Sequence, residues 1–221
     1  MKTSARELQQ EYQLRFARIA NYRRKVWKIL VTRYFQDLVG ERRDILDLGC
    51  GWGEFINQVR ARKKYAMDLN PDAKDYLESE VCFIHQDCSQ TWPVSEASLD
   101  VVFTSNFLEH LLSKESLSRT IAEAYRCLKP GGKIICLGPN IKYTGGAYWD
   151  FFDHHLPLTE ASISEVLQLR GFQIQTCIPK FLPYTMANGK QPPLWTVPLY
   201  ISMPLAWNFL GKQFLVVACK N

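Results

Sequence analysis

Seven cysteines stand among the 221 residues, yet no two of them form a C-x-x-C pair. An odd, scattered set (Cys50, Cys82, Cys88, Cys127, Cys136, Cys177 and Cys219) argues against a disulfide framework or a zinc ribbon and for a reducing compartment. Histidine is scarce too, at four residues, so candidate acid–base groups are few. No transmembrane helix is evident, and the opening stretch MKTSARELQQEYQ is too polar for a signal peptide. With 22% charged and 47% hydrophobic residues, disorder, coiled coil and collagen are excluded. The expectation is a cytoplasmic, soluble protein of one domain, residues 1–221, large enough to bury roughly 70% of its unfolded surface without staples.

What charge there is lies unevenly. Residues 1–43 carry eleven Lys/Arg against four Asp/Glu, whereas the remainder is slightly acidic. Such an end can dock on nucleic acid or anionic membrane, or be the solvated face of a helix. Trp27, Leu30, Val31, Tyr34, Phe35 and Leu38 recur at the spacing of a core-facing helical stripe, with Arg23, Arg24, Lys25 and Lys28 largely off it. Residues 1–42 therefore read as an N-terminal helical extension.

Beyond Arg43, short apolar runs alternate with helical stretches. Strands are expected at Asp44–Leu48, Lys64–Asp68, Val81–His85, Leu99–Ser105, Lys133–Leu137, Phe172–Ile178 and Gln213–Cys219. Helices are expected around Phe55–Arg60, Pro71–Leu77, Leu117–Leu128 and Glu160–Leu169, with Ser113 and Thr159 as N-caps. This alternation predicts an α/β fold with a doubly wound parallel sheet, binding ligands at the carboxyl ends of its strands. Residues 43–178 form the core, and 213–221 the last strand. Between them, residues 179–212 are a long insertion with no charge from Gln191 to Gly211 and four prolines that prevent a straight span. A lid over the active site, a membrane-surface contact and an oligomer interface are its candidate roles.

The first strand ends in Asp47-Leu48-Gly49-Cys50-Gly51-Trp52-Gly53-Glu54. Glycines at a strand-to-helix turn let the backbone approach a ligand. The acid at Glu54 would compete with a pyrophosphate for a helix N-terminus, so a ligand without phosphate fits better. Asp68, nineteen residues after Gly49, is placed to accept hydrogen bonds from ribose hydroxyls. The third strand ends in His85-Gln86-Asp87-Cys88, bringing a second carboxylate toward an adenine amino group, and the fourth runs into Ser105-Asn106-Phe107-Leu108-Glu109-His110.

Together with Leu128-Lys129-Pro130-Gly131-Gly132 before the fifth strand, these blocks resemble the class I S-adenosylmethionine-dependent methyltransferases over about residues 43–178. The resemblance implies a Rossmann-like seven-stranded sheet whose last strand is antiparallel, with S-adenosyl-L-methionine as cofactor. It implies Gly49 and Gly51 at the methionine part, Asp68 at the ribose, and Asp87 with the Cys88 backbone at the adenine. Leu69 would pack on the adenine and Asn106 lie near the sulfonium; Asp47 is counted in the same cofactor-binding set.

For the acceptor side, His110 follows the fourth strand, and Asp153, His154 and His155 end an unusually aromatic run from Tyr143. That run either walls the substrate or closes the core under the insertion. A neutral histidine can take a hydroxyl proton at pH 7, oriented by Asp153, so these four residues are the catalytic candidates. Asn106-Phe107-Leu108-Glu109-His110 also resembles the Glu-x-x-Glu-His segment of ubiquinone-type O-methyltransferases, where a divalent cation is held. Asn106 replaces the first acid, and no metal is expected. The Asn-Pro-Pro-Tyr motif of nucleic-acid amino-methyltransferases is absent. The reading is O-methylation of a small or lipid-linked molecule, with nucleic acid disfavoured and peripheral membrane contact open. The rivals are an RNA methyltransferase and a non-catalytic cofactor-binding partner subunit.

Overall fold

A computed structural model of the chain describes residues 10, 13–184 and 190–221. Seven strands, β1 (Asp44–Leu48), β2 (Lys63–Asp68), β3 (Val81–His85), β4 (Leu99–Ser105), β5 (Leu128–Pro139), β6 (Phe172–Leu182) and β7 (Gln213–Lys220), form one sheet in the order β3-β2-β1-β4-β5-β7-β6. Strands β1 to β5 pair in parallel, while β7 is antiparallel to both its neighbours, β5 and β6. The chain winds outward from β1 to β3 and returns to β4, so a crevice opens between the carboxyl ends of β1 and β4.

Alternate residues of each strand face opposite sides of the sheet, which makes two cores. Leu46, Leu48, Val102 and Ile134 pack with Ile121 and Leu167 of helices α3 (Lys114–Cys127) and α5 (Glu160–Leu169), the short α4 (Ile141–Thr144) lying between these in sequence. Ile45, Val101, Phe103 and Ile135 pack with Trp27, Val31 and Phe35 of the N-terminal helical segment. That segment comprises α1 (Ala20–Leu30), a π-helical turn (Val31–Phe35) and α2 (Gln36–Val39). The expected stripe is its buried face, with Phe55 stacked on Phe103 beneath it at 3.6 Å between ring centroids. Both expected N-caps form. Ser113 Oγ accepts from the Ser116 backbone N–H at 3.1 Å, and Thr159 makes a reciprocal capping box with Ser162.

Three boundaries differ from the sequence reading. Phe55–Arg60 is a series of turns rather than a continuous helix: Phe55, Ile56 and Val59 are buried, but the Asn57 side chain is drawn away to the Tyr76 carbonyl and the Glu78 N–H. Strand β5 starts at Leu128, so Pro130-Gly131-Gly132 falls within the strand instead of between elements. Strand β6 continues past Ile178 to Leu182, because fully buried Phe181 and the Leu182–Gln213 pairing hold the chain to the sheet across a bulge. The expected insertion therefore begins inside a strand. It then forms α6 (Thr196–Ile201) and α7 (Pro204–Leu210) against α1 and β6, its residues 185–189 lying outside those described. Among the described residues, no helix is long and apolar enough to cross a membrane. All seven cysteines are free thiols.

Candidate active site

The crevice between β1 and β4 opens into a cavity lined by Asp47, Gly49, Asn106, Glu109, His110 and His154, with Arg15 and Arg23 on the N-terminal side. Its floor is the glycine loop. The Gly49 N–H donates to the Met67 carbonyl at 2.9 Å, and the Gly51 N–H donates to Asp68 Oδ2 at 2.9 Å, locking the loop onto the end of β2. Asp68 Oδ1 accepts from the Asn70 N–H at 2.8 Å. Each of its oxygens keeps a lone pair for a further donor, as ribose hydroxyls would require.

Three acids surround this loop. Burial pushes the Asp47 carboxyl well above its ordinary pKa, and the charges of Glu54 and Asp68 push it further. Burial likewise raises Asp68 against the pull of its backbone donors. Glu54 is paired with Arg23 Nε at 2.8 Å. A cluster of desolvated carboxyls is at odds with a phosphate and matches a ligand carrying positive charge, such as a sulfonium with an α-ammonium. The residues present therefore fit S-adenosyl-L-methionine.

Of the expected cofactor set, Asp47, Gly49 and Asn106 line the cavity, and Gly51 and Asp68 adjoin it through their hydrogen bond. Leu69 follows β2 and is 45% exposed. Asp87 follows β3, its Oδ1 accepting from the Ser89 N–H and hydroxyl, while the Cys88 carbonyl accepts from Trp92 Nε1. Asn106 adopts φ +49° and donates its side-chain N–H to Ser105 Oγ.

On the opposite wall, His110 Nδ1 lies 3.1 Å from Asp153 Oδ2 and 3.1 Å from the Asp153 carbonyl, while Nε2 is 4.0 Å from Glu109 Oε1. Arg15 grips the Asp153 carboxylate with two hydrogen bonds of 2.9 and 2.6 Å. Burial lowers the His110 pKa, but the Asp153 hydrogen bond and the Glu109 charge outweigh it and hold the ring above its ordinary value. Burial raises Asp153, but its bonds to His110 and Arg15 outweigh that and hold it far below. His154 packs edge-on to His110, 4.9 Å between centroids, and burial beside that cation lowers it to about 4. Glu109, fully buried, is raised by burial to about 7.

The structure thus brings together His110, Asp153 and His154. It does not bring His155: that side chain is exposed and outside the cavity lining, and its backbone N–H is fixed to the Glu109 carbonyl at 2.9 Å. The aromatic run divides in the same way. Tyr148 is fully buried, its hydroxyl donating to the Leu156 carbonyl, and Phe151 lines the cavity, whereas Trp149 and Phe152 are exposed.

Glu109, His110 and His154 each offer a donor atom within 4.8 Å of one another, and Glu109 Oε2 and His154 Nδ1 are buried without a partner among the described residues. These are the donor types of a divalent-cation site. Sequence reasoning missed Arg15, Arg23, Tyr184 and Gln213 as lining residues. Only Gln213 carried a signal, as the one amide opening an otherwise apolar strand.

Comparison with known proteins agrees with this geometry. The family described as "Methyltransferase domain" matches residues 46–136. A malonyl-[acyl-carrier protein] O-methyltransferase of Hahella chejuensis is 30% identical over 106 residues, covering 42% of this chain and 36% of that one. The matched stretch is thus about a third of that relative's length. Among solved structures, a SAM-dependent methyltransferase from Archaeoglobus fulgidus has the same fold, with a TM-score of 0.68 and 21% identity over 93% of this chain and 99% of that one. The N-methyltransferase NodS of Bradyrhizobium japonicum, solved with S-adenosyl-L-homocysteine, superposes with a TM-score of 0.62 and 14% identity over 88% and 85% of the two chains. Residues 46–136 thus match the methyltransferase-domain family, and the chain shares the fold of these S-adenosyl-L-methionine-dependent enzymes.

Proposed function

We propose that the chain transfers the methyl group of S-adenosyl-L-methionine to a hydroxyl of a small or lipid-linked acceptor, with His110 as general base and Asp153 as its positioning partner. The observation that carries this reading is His110, on the wall of the same cavity whose floor is the glycine loop, held through Nδ1 by Asp153. Bound there, the cofactor supplies a methyl group already activated by its sulfonium, so the protein's tasks are alignment and removal of one proton. Asp47, Asp68 and the glycine loop hold the donor on one side. His110 Nδ1 donates to Asp153, which leaves Nε2 to take the acceptor proton. Arg15 keeps Asp153 ionised and in place.

The test is incubation of the purified protein with methyl-labelled cofactor and a total lipid and metabolite extract. The expected product is a methyl ether whose labelling falls about a hundredfold in His110→Gln. Label on an amine nitrogen, or full labelling by His110→Gln, would reject the reading. Unpartnered Glu109 Oε2 and His154 Nδ1 favour a second reading, in which Glu109, His110 and His154 hold a divalent cation that binds the acceptor oxygen. Elemental analysis distinguishes the two: about one metal per chain, lost in Glu109→Gln, supports the second.

A further inference from the structure

A second, larger cleft lies beside the reaction cavity, between α1, the end of β6 and the α6–α7 pair, with a volume of about 650 Å³. It is within the size range of sites for sizeable organic ligands. Its walls are chiefly apolar, among them Val26, Val197, Met203, Ala206 and Phe209. Leu30, Leu182, Pro183, Tyr184 and Gln213 line both cavities, so the cleft and the chamber that contains His110 share a wall. On the shared wall, Gln213 is 6% exposed, its Nε2 donates to the Pro183 carbonyl at 2.7 Å, and its Oε1 is buried without a partner among the described residues.

The outer rim is also apolar. Trp195, Leu199, Met203, Leu205, Phe209 and Leu210 are between 47% and 86% exposed, on a stretch without a single charge. Exposed Lys190 and Lys212 flank it in sequence. Apolar side chains with tryptophan, bordered by cations, suit the boundary of an anionic bilayer.

We infer that this cleft holds the aliphatic chain of the methyl acceptor, an amphiphile taken from a membrane surface on which the α6–α7 rim rests. The chain lies between α1 and α6–α7, a hydroxyl or amide N–H of the head donates to Gln213 Oε1, and the group to be methylated reaches His110. This inference rests on the proposed function and names the acceptor class for it.

The experiment uses the full-length protein, a photoreactive diazirine fatty alcohol, and a series of fluorescent fatty alcohols of increasing chain length. Cofactor binding is measured in parallel by calorimetry. Crosslinks are expected on α1 and α6–α7, with affinity rising about fourfold per added methylene. Ala206→Trp, which fills the cleft at a residue outside the reaction cavity, should weaken the alcohol at least about tenfold while cofactor affinity stays within about twofold. Sedimentation with vesicles of phosphatidylcholine and about a third phosphatidylglycerol should retain the native protein and lose Leu205→Lys/Phe209→Lys.

Crosslinks elsewhere, or equal alcohol affinity in Ala206→Trp, would overturn the cleft's role. Alcohol binding without vesicle binding would overturn the membrane source, as would a stable dimer abolished by the two lysines. Failure of cofactor binding itself would strike the proposed function instead, and is read separately.

Discussion

At Gly49 the backbone adopts φ +71°, and a β-carbon there would lie 2.1 Å from the Phe107 ring. Gly49→Ala should therefore cost about 1–3 kcal/mol in denaturant unfolding and lower cofactor affinity, because either the loop or the ring must move. The acids around that loop make cofactor binding depend on pH. Asp47 and Asp68 hold raised pKa values, and a cationic ligand favours their ionised forms, so affinity should fall as pH drops through those values. Calorimetry across the acidic range checks this, and Asp68→Ala should abolish binding at every pH. On the opposite wall, His110 in its proposed role takes a proton only when neutral, and its pKa is raised. The rate should climb with pH through a value above the ordinary histidine value, and Asp153→Asn should move that limb down. The same pair contributes to stability in a defined window. His110, raised, contributes fully below its unfolded value of about 6.5 and loses this as pH rises through the folded one; Asp153, lowered, contributes above its unfolded value of about 3.9. The melting difference between native protein and Asp153→Asn should thus be greatest between about pH 4 and 6.5. Exposed His155 should tolerate alanine at full rate.

Among the elements, those with local punctuation were readable in advance. Ser113 and Thr159 announced α3 and α5 because a cap acts through its own neighbouring N–H groups, and Ser113→Ala should cost about 1 kcal/mol. The stretch after the glycine loop was misread because contacts distant in sequence decide it: the Asn57 amide serves Tyr76 and Glu78, not a helix. The N-terminal segment is the other non-local case. Arg23 looked like part of a solvated cluster, yet it and Arg15 cross the cavity mouth to Glu54 and Asp153. The space enclosed beneath them is about 120 Å³, below the range of ligand sites, so cofactor entry is expected to displace this segment. Removing both pairs in Arg15→Ala/Arg23→Ala should speed cofactor association severalfold in stopped-flow measurements. The same change should raise hydrogen exchange along residues 13–30.

Over the whole molecule, strand alternation settled the parallel core, since each buried strand reads as an apolar run wherever it sits. Neither the adjacency of the two cavities nor the placement of Gln213 between them could be read that way, because both arise from α1 meeting a segment more than 150 residues later. The charge distribution behaves similarly. The basic excess of residues 1–43 suggested a phosphate track, but its Arg15 and Arg23 line the cavity and are paired with Asp153 and Glu54. Within the expected cluster this leaves Arg24, Lys25 and Lys28 exposed along α1. Three cations displace few counterions from a single strand, so RNA binding through this cluster alone should have a log–log salt slope no steeper than about −2. A filter-binding titration between low and physiological salt measures that slope directly. A value several times steeper would mean that basic residues beyond this cluster engage phosphate, and would favour an RNA acceptor over an amphiphile.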